Sequence, residues 1–500
     1  MIIHFFRRTF LILFLFLLYI LRGNVVIPNQ PNPWRHDPTT EDARCAAYPD
    51  PGNIAVAVKT SAAYASLEQL NRIANIFHCL SPDRLLFLSD LDQTVGPYTL
   101  HNVLSQASPT LLNWHHDFSF YRKQERYAKR GLNVRDMNSK TPVLSPETSE
   151  AKEQELKILD KYKFLHMVEK AWELQPDMDW YVFADPSAYY FWPNLVRWLR
   201  EIDPAQARFF GKASRIASSE LDIANEQSGF VMSGAAVKLL VSKGTRVTKS
   251  WDKKVAQMEN GQHVLATALH SEISLKLTDA WPLLIGETLG RIPFKQEIWC
   301  EPVVGLADVP SNLVLRLLNL EQSMLVDSKD AIFTYKHLFN ELSTKMSVTT
   351  PYTFPDSPTS YLYRRMWDNI ADSTQYEGEN IDWKDPKMLA DPNHFIHSLE
   401  DPNKTPSSCA KACDAFVQCT QFSYLEYEAK VIQSGRVLRS GGVCYLSTIF
   451  RFGVGRGINV WDDDGGDGRN PAGSVANTQL FFSAWNRQKW VDYSNGLRCH

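Results

Sequence analysis

The chain has 500 residues, and its 53 lysines and arginines against 56 aspartates and glutamates give a formal net charge of −3. Hydrophobic residues make up 44% of the sequence and charged residues 22%, which excludes a disordered chain, a collagen-like fibre and a multi-span membrane protein. The slightly acidic balance gives no support to nucleic-acid binding, which requires a basic face. A chain of this length suggests two or three domains.

The N-terminus carries the one long apolar run of the sequence, residues 10–21, preceded by Arg7 and Arg8. Twelve helical residues span about 18 Å of a hydrocarbon core of about 30 Å, and flanking arginines can snorkel and lengthen that span. Positive charge before the run places the N-terminus in the cytoplasm. We predict a cytoplasmic tail and signal anchor over residues 1–23. The alternative is a cleaved signal peptide, and both place the remaining chain in the secretory lumen or outside the cell.

The cysteine content agrees with that compartment. An even number of cysteines in a secretory protein predicts disulfides, although the sequence leaves their pairing open. Asn403 begins the one N-glycosylation acceptor pattern, and the proline directly after this pattern predicts poor occupancy. The disulfide candidates are Cys45, Cys79, Cys300, Cys409, Cys413, Cys419, Cys444 and Cys499.

A stem and an α/β domain are predicted next. Residues 24–50 are rich in proline, asparagine and aspartate, which is typical of a stem. The domain predicted over residues 51–345 starts with a strand over residues 54–60, a helix over 67–79 and a second strand over 85–88. This strand–helix–strand order with short connections indicates a parallel sheet.

The middle of the chain continues the alternation of helices and strands. Hydrophobic periodicity predicts a helix over residues 156–172, a buried strand over 180–183 and a helix over 191–199. A short strand over residues 229–232 and a helix over 235–241 follow. We therefore predict the α/β fold class for this domain.

The last part of the chain has a different composition. Residues 346–405 are rich in proline, aspartate, serine and asparagine, so we predict a linker. Residues 406–500 contain five of the eight cysteines. A segment this small needs disulfide cross-links to be stable, so we predict a small disulfide-rich module.

Acidic residues mark the ends of the predicted strands. Asp90 and Asp92 follow the second strand, and Asp185 follows the strand at residues 180–183. Ligands of α/β sheets bind at the carboxyl ends of the strands. We therefore expect a binding site there, with Asp90 and Asp92 as candidates for contact with a ribose or a base. The alternative for this pair is a solvated turn.

The surroundings of Asp185 resemble a known family. Residues 159–195 (LDKYKFLHMVEKAWELQPDMDWYVFADPSAYYFWPNL) resemble the central motif of fungal members of glycosyltransferase family 31, the fringe-like and core-1 β1,3-galactosyltransferase-like proteins. The resemblance covers about residues 52–325. It implies a GT-A-type nucleotide-sugar-binding domain and a single-pass type II Golgi membrane protein with a luminal body. Further similar segments are residues 58–60, 89–90, 228–233 (SGFVMS), 281–282 and 299–304.

The C-terminal cysteines resemble a second family. The pattern Cys409-x3-Cys413-x5-Cys419, followed by residues 422–424 and 444–446, is similar to a PAN/apple-type module. This resemblance implies a small disulfide-rich α+β fold. A zinc site is the alternative interpretation, but zinc sites usually pair CxxC knuckles, and an oxidising compartment favours disulfides.

The first resemblance also implies a reaction. It implies inverting, UDP-sugar-dependent transfer of a β1,3-linked hexose, galactose or N-acetylglucosamine, to a glycan or glycoprotein acceptor. The leaving diphosphate is commonly neutralised by a divalent cation, here Mn²⁺ or Mg²⁺, and a carboxylate removes the proton of the acceptor hydroxyl. The implied nucleotide-sugar-binding residues are Lys59, Thr60, Asp90, Asp92, Asp185 and Ser187.

Several positions depart from the pattern of the family. Ser187 stands where the last acid of the metal-binding motif is expected, so Asp185 and Asp308 remain as metal candidates. Gln262 stands at the position of the catalytic base, with His263 beside it as the one neighbour that titrates near neutrality.

A further change places Glu226 and Gln227 where the family usually has two glycines, so we expect a narrower pocket. These changes take away a metal-binding acid and a base and fill part of the pocket, whereas the apolar residues that build the fold are kept. They support a second hypothesis beside hexosyl transfer, in which the chain is a catalytically inactive module that binds a glycan or a partner transferase.

Overall fold

The computed structural model describes residues 45–138, 146–243, 246–345, 350–355, 357–371, 405–431, 437–456, 459–463, 475–496 and 499. The predicted cytoplasmic tail and anchor, the stem up to residue 44 and the glycosylation candidate Asn403 lie outside these ranges. Within the described ranges, no helix combines the length and the apolar character needed to cross a bilayer.

The described strands are short in the first domain and longer near the C-terminus. In chain order they are β1 (Ile54–Lys59), β2 (Leu85–Ser89), β3 (Gln93–Val95), β4 (Tyr98–Asn102), β5 (Trp180–Ala184), β6 (Tyr189–Tyr190), β7 (Phe209–Gly211), β8 (Ala213–Ser214), β9 (Ile223–Ala224), β10 (Phe230–Ser233), β11 (Thr278–Asp279), β12 (Leu284–Ile285), β13 (Gly305–Leu306), β14 (Thr350–Thr353), β15 (Ser360–Arg365), β16 (Trp367–Asp368), β17 (Gln421–Val431), β18 (Val437–Ser447), β19 (Val454–Gly455), β20 (Asn459–Asp463) and β21 (Val475–Asn486).

The described helices lie mostly between the strands of the first domain. They are α1 (Leu67–Ile76), α2 (Pro109–Trp114), α3 (Ser119–Lys129), α4 (Pro146–Leu174), α5 (Trp192–Arg200), α6 (Gly234–Val241), α7 (Val247–Val255), α8 (Gly261–Ile273), α9 (Ser311–Asp327), α10 (Tyr335–Lys345), α11 (Pro406–Ala415) and α12 (Arg487–Gly496).

A mixed sheet of eight strands organises the first domain, in the order β11-β7-β10-β5-β1-β2-β4-β3. Strands β5, β1, β2 and β4 are parallel neighbours, and β10 pairs antiparallel with β5. Val56 at the centre of β1 is in register with Leu85 on one side and Val182 on the other. The α/β class predicted from the sequence is confirmed.

Strand β1 is buried along its whole length because helices cover both faces of the sheet. Ile54, Val56 and Val58 face one hydrophobic core, which includes residues of α1, α5 and α9. Ala55 and Ala57 face the other core, which includes residues of α4, α6 and α8. This alternation follows from the two-residue period of a strand, and it leaves the strand ends as the accessible edge.

The C-terminal region forms a second sheet. Its strands follow the order β14-β15-β21-β17-β18, with β20 also paired to β21. Strands β14 and β15 lie within residues 346–405, the range predicted as a linker, so part of that range belongs to the sheet instead. Burial explains the difference, because Phe354 and Tyr361 pack in the same core as Phe422 and Cys409.

The second sheet packs directly on the first domain. The Phe294 amide donates to the Phe450 carbonyl at 2.9 Å, and the Gly453 amide donates to the Gly290 carbonyl at 2.8 Å. A Cβ atom on Gly290 would lie 2.0 Å from the Gly453 oxygen, so this approach requires glycine. The aromatic rings that meet across the contact are Phe294, Trp299, Phe339, Phe450, Phe452, Trp490 and Tyr493.

All eight cysteines are paired, as the sequence predicted for this compartment. One bond lies in the first domain, one joins it to the C-terminal end, and two lie in the C-terminal region. The pairs are Cys45–Cys79, Cys300–Cys499, Cys409–Cys444 and Cys413–Cys419.

A buried acid in α9 makes the stability of the protein depend on pH. Glu321 is 3% exposed, and burial is the main cause that raises its pKa to about 8 from an ordinary value of 4.5. Between pH 4.5 and 8 the unfolded chain ionises at this position while the folded protein keeps the proton. Stability from this group is therefore complete below pH 4.5 and falls as the pH rises to about 8.

We expect Glu321→Gln to remove that pH dependence. At pH 8 the variant should be more stable than the wild type, by roughly 2–5 kcal/mol in the free energy of unfolding, and the gain should shrink toward pH 5. Thermal unfolding midpoints measured at both pH values test this. The exposed Glu301 provides the control, since Glu301→Gln should follow the wild-type profile; an equal gain at both pH values would contradict the assignment.

Candidate functional site

The carboxyl ends of β1 and β5 form the floor of an open cleft of about 440 Å³. After β1 the chain turns toward β2 on one side of the sheet, whereas β5 lies on the other side. Neighbouring parallel strands whose chains leave in opposite directions create a crevice at which α/β proteins bind ligands. The volume is that of an ordinary small-molecule site. The cleft is lined by Lys59, Thr60, Ser61, Tyr64, Asp160 and Asp185, among others.

Lys59 ends β1 and lies at the centre of the site. Its Nζ atom contacts Asp160 Oδ2 at 2.8 Å and also the carboxylate of Glu226. Burial works against the charge of the lysine, but Asp160, Glu226 and Asp185 together hold its pKa above the usual value. Lys59 is therefore a fully charged lysine.

A second, fully buried lysine lies beneath the floor of the cleft. Lys163 on α4 has no exposed side-chain surface, and its Nζ atom lies 2.8 Å from Asp160 Oδ1, 3.5 Å from Asp90 Oδ2 and 3.1 Å from the Thr60 carbonyl. Lys163 and Lys59 hold the pKa of Asp160 well below its usual range, although burial opposes this. Helix α4 is thus joined to the ends of both β1 and β2.

Asp90 does not line the cleft. It is fully buried, and its oxygens accept hydrogen bonds from the Ser61 hydroxyl at 2.8 Å, the Ala62 amide at 2.8 Å and Gln124 Nε2 at 3.2 Å. Its role in this geometry is to hold the loop after β1, not to contact a ribose.

Asp92 and Thr60 occupy different surroundings. Asp92 is exposed, and its Oδ1 atom accepts from the Asn102 amide at 2.9 Å. This bond stabilises the turn beside β4, as the solvated-turn alternative supposed. Thr60 lines the cleft as predicted, and its amide donates to the Leu88 carbonyl at 2.8 Å.

Asp185 and Ser187 form a closed turn after β5. The Ser187 amide and hydroxyl both donate to Asp185 Oδ1, at 2.8 Å and 2.7 Å. Burial raises the pKa of the Asp185 carboxyl above its ordinary value, and the nearby Lys59 and the Ser187 donors offset this only in part. The serine therefore fixes the aspartate in place without adding a second acid.

Asp308 is exposed on the loop beside this turn. The Val309 amide donates to the Ser187 carbonyl at 2.9 Å, which brings the two segments together. Arg72 holds the junction from below: its guanidinium donates to the Pro186 carbonyl at 2.8 Å and to the Val309 carbonyl at 2.7 Å. The structure thus places Asp308 near Asp185, with a cation between the two segments.

A smaller inner pocket of about 10 Å³, room for about one water molecule, adjoins the cleft and shares Lys59 and Asp185 with it. Gln262 lines this pocket near the start of α8, is 2% exposed, and neither its Oε1 nor its Nε2 atom has a hydrogen-bond partner among the described protein atoms. Glu226 also lines the pocket and so occupies space that glycine would leave open, as the sequence predicted.

His263 does not reach the inner pocket from its position after Gln262. It is half-buried, and the Asn260 side chain accepts from its amide at 2.9 Å, which caps α8. Its absence from the residues that line the inner pocket leaves Gln262 as the polar side chain that α8 contributes to the site.

Sequence reasoning missed Asp160, Lys163 and Arg72. The sequence does contain a signal for Asp160 and Lys163. Residues three apart on a helix lie on one face, so this pair places an acid and a base together on one face of the predicted helix. Arg72 gave no local signal, since its partners are backbone carbonyls more than 110 residues away in sequence.

The side chains at this turn offer a divalent cation few ligands. Mg²⁺ is usually held by one or two carboxylates together with substrate phosphates, and the two donors of Ser187 already occupy Asp185 Oδ1, so Oδ2 is the carboxylate oxygen that this residue has left to offer. Within the described ranges, the groups of three ligating side chains that lie within 4.8 Å are Cys45–His78–Cys79, whose cysteines form a disulfide, and His115–His116–Asp117. Neither group includes Asp185 or Asp308.

No protein-family model matches the chain, and no curated protein matches it. The resemblance to glycosyltransferase family 31 therefore depends on the motifs themselves and on where the fold places them.

The unpaired amide of Gln262 leads to a prediction. We expect Gln262→Leu to stabilise the ligand-free protein by about 1–2 kcal/mol, because two buried polar atoms that lack partners are removed. The matched variant Gln124→Leu should destabilise it, since Gln124 is also buried but donates to Asp90 at 3.2 Å. Urea unfolding of both variants tests the opposite signs; equal destabilisation would show that the Gln262 amide is satisfied in the free protein.

Proposed function

We propose that this chain is a glycosyltransferase-like protein of the GT-A type that binds a UDP-sugar in the cleft and transfers its hexose, galactose or N-acetylglucosamine, to a hydroxyl of a glycan or glycoprotein. The observation that carries the proposal is the cleft between β1 and β5, which leads past Lys59 and Asp185 to the inner pocket. The motifs of residues 159–195 and 228–233 line these two spaces. The proposal includes the predicted luminal body of a single-pass type II Golgi protein.

The proposed reaction assigns both the diphosphate and the hexose to the cleft, with the hexose beside the inner pocket. The acceptor oxygen forms a bond to the anomeric carbon of the donor, and the bond from that carbon to the diphosphate oxygen breaks. The electron pair leaves with the diphosphate, toward the Lys59 ammonium. The hydroxyl proton passes to a carboxylate, and the two carboxyl groups lining the inner pocket are Asp185 and Glu226.

Gln262 has a different role in this proposal from that of a base. A carboxamide accepts no proton at physiological pH, but it offers both a donor and an acceptor to sugar hydroxyls. Its two unpaired atoms find partners when one hydroxyl group of a hexose reaches into the inner pocket. The amide thus contributes to sugar recognition, and the proton transfer belongs to another group.

A tyrosine at the cleft gives a test of nucleotide binding. Tyr64 lines the cleft and is 49% exposed, which places aromatic surface beside a uracil bound there. We expect the purified full-length chain to bind UDP in a calorimetric titration, and Tyr64→Ala to weaken binding about tenfold. Tyr352, 43% exposed in the C-terminal region, is the matched control, and Tyr352→Ala should leave the affinity unchanged. Equal affinities for all three proteins would place UDP elsewhere.

The second candidate function is binding without transfer, as an inactive module that recognises a glycan or a partner transferase. It is favoured by Ser187 and Gln262, which stand at the positions of the family's metal-binding acid and base. Release of UDP from UDP-galactose or UDP-N-acetylglucosamine in the presence of glycan acceptors separates the two candidates. Turnover supports transfer, and glycan binding without turnover supports the inactive module.

A further inference from the structure

A diphosphate in the cleft needs positive charge close to it, because its own charge increases when it leaves the sugar. A divalent cation would find few protein ligands around Asp185, since Ser187 stands in place of a second acid and occupies Asp185 Oδ1. Lys59 is the cation that both the cleft and the inner pocket share, so it lies where a diphosphate and a hexose would join.

The two carboxylates that hold Lys59 are not equivalent. Both oxygens of Asp160 are engaged, Oδ2 by Lys59 and Oδ1 by Lys163, each at 2.8 Å. The Glu226 side chain is 42% exposed, and Lys59 is its one ion-pair partner in the described part of the chain. Asp160 is therefore the fixed partner of Lys59, and Glu226 is the exchangeable one.

Charge counting gives the same distinction. The acids of the cluster outnumber its cations by two, and removal of the Glu226 charge halves that excess of negative charge. The residues counted are the cations Lys59, Lys163 and Arg72 and the acids Asp90, Asp160, Asp185, Glu226 and Asp308.

We infer that the diphosphate of a UDP-sugar binds to this chain without a metal, by replacing the Glu226 carboxylate on the Lys59 ammonium. Glu226 is then an internal anion that occupies the phosphate position in the free protein. Asp160 stays bound to Lys59 and keeps the ammonium charged and aimed at the junction of the cleft and the inner pocket. The inference depends on the proposed function, because it concerns the same site and the same ligand.

The test is calorimetric titration of the full-length chain with UDP, once with EDTA and once with MnCl₂. We expect the dissociation constants under the two conditions to agree within about twofold. In EDTA, Glu226→Gln should bind UDP about tenfold more tightly than the wild type, because a competing charged contact is lost. Affinity should also fall as NaCl is added, since the contact is ionic.

Asp222→Asn is the matched control for Glu226→Gln. Asp222 is also an ion-paired carboxylate with a 42% exposed side chain, bound to Arg215 at 3.0 Å, and its substitution changes the net charge by the same amount. It should leave UDP affinity unchanged. Lys59→Met should lose at least tenfold in UDP affinity, and its thermal unfolding midpoint shows whether the variant is folded. Glu226→Gln needs no such folding control, because misfolding does not tighten binding.

The outcomes separate this inference from the function on which it depends. Binding of UDP that requires Mn²⁺, or an unchanged affinity in Glu226→Gln, overturns the metal-independent exchange and leaves the nucleotide-sugar proposal in place. Absence of UDP binding by the wild type and by Glu226→Gln, with and without Mn²⁺, overturns both the inference and the proposed function. Metal-independent binding that Glu226→Gln strengthens and Asp222→Asn does not supports both.

Discussion

The site depends on one buried cation. An ammonium group with no exposed surface must find acceptors for its hydrogens inside the protein, since an unpaired buried charge is severely destabilising. Lys163 finds them in Asp160, Asp90 and the carbonyl of Thr60. These three acceptors belong to α4, to the end of β2 and to the end of β1. A single group thus fixes the relative positions of a helix and two strands at the point where the cleft opens.

The first domain was largely predictable because the secondary structure that its local sequence favours is also the one that its packing requires. The strand predicted over residues 54–60 is β1 at Ile54–Lys59, and the one over 180–183 is β5 at Trp180–Ala184. Fully buried parallel strands give continuous apolar runs, which are easy to recognise. The helix predicted over 156–172 extends to Pro146–Leu174, since its first turns carry charged residues that give no apolar period.

The site was less predictable, because strand-end chemistry depends on long-range partners. Asp90 was expected in the ligand site, but Ser61, Ala62 and Gln124 engage its oxygens from three other positions in the chain. A sequence shows that an acid follows a strand, yet it does not show whether the acid turns toward the ligand or toward the core. The pairing of Lys59 with Glu226 joins residues 167 positions apart, which no local pattern encodes.

The connection between the two regions was missed for the same reason. Glycines near residue 453 gave no indication of a partner, whereas in the structure Gly453 has a positive φ and lies against Gly290. The C-terminal region was predicted as a disulfide-rich module whose cysteine pairing was left open. Four of its five cysteines pair within it, and the fifth bonds to the first domain, as Cys300–Cys499, beside the aromatic rings that join the two regions.

The Cys300–Cys499 bond closes a covalent ring that contains the whole C-terminal sheet, and its two cysteines have a sequence separation of 199. A single proteolytic cut anywhere between them leaves both fragments in one molecule for as long as the bond remains oxidised. A single cleavage therefore does not release the C-terminal region from the domain that carries the cleft. Its release takes two cuts, or one cut and a reductant.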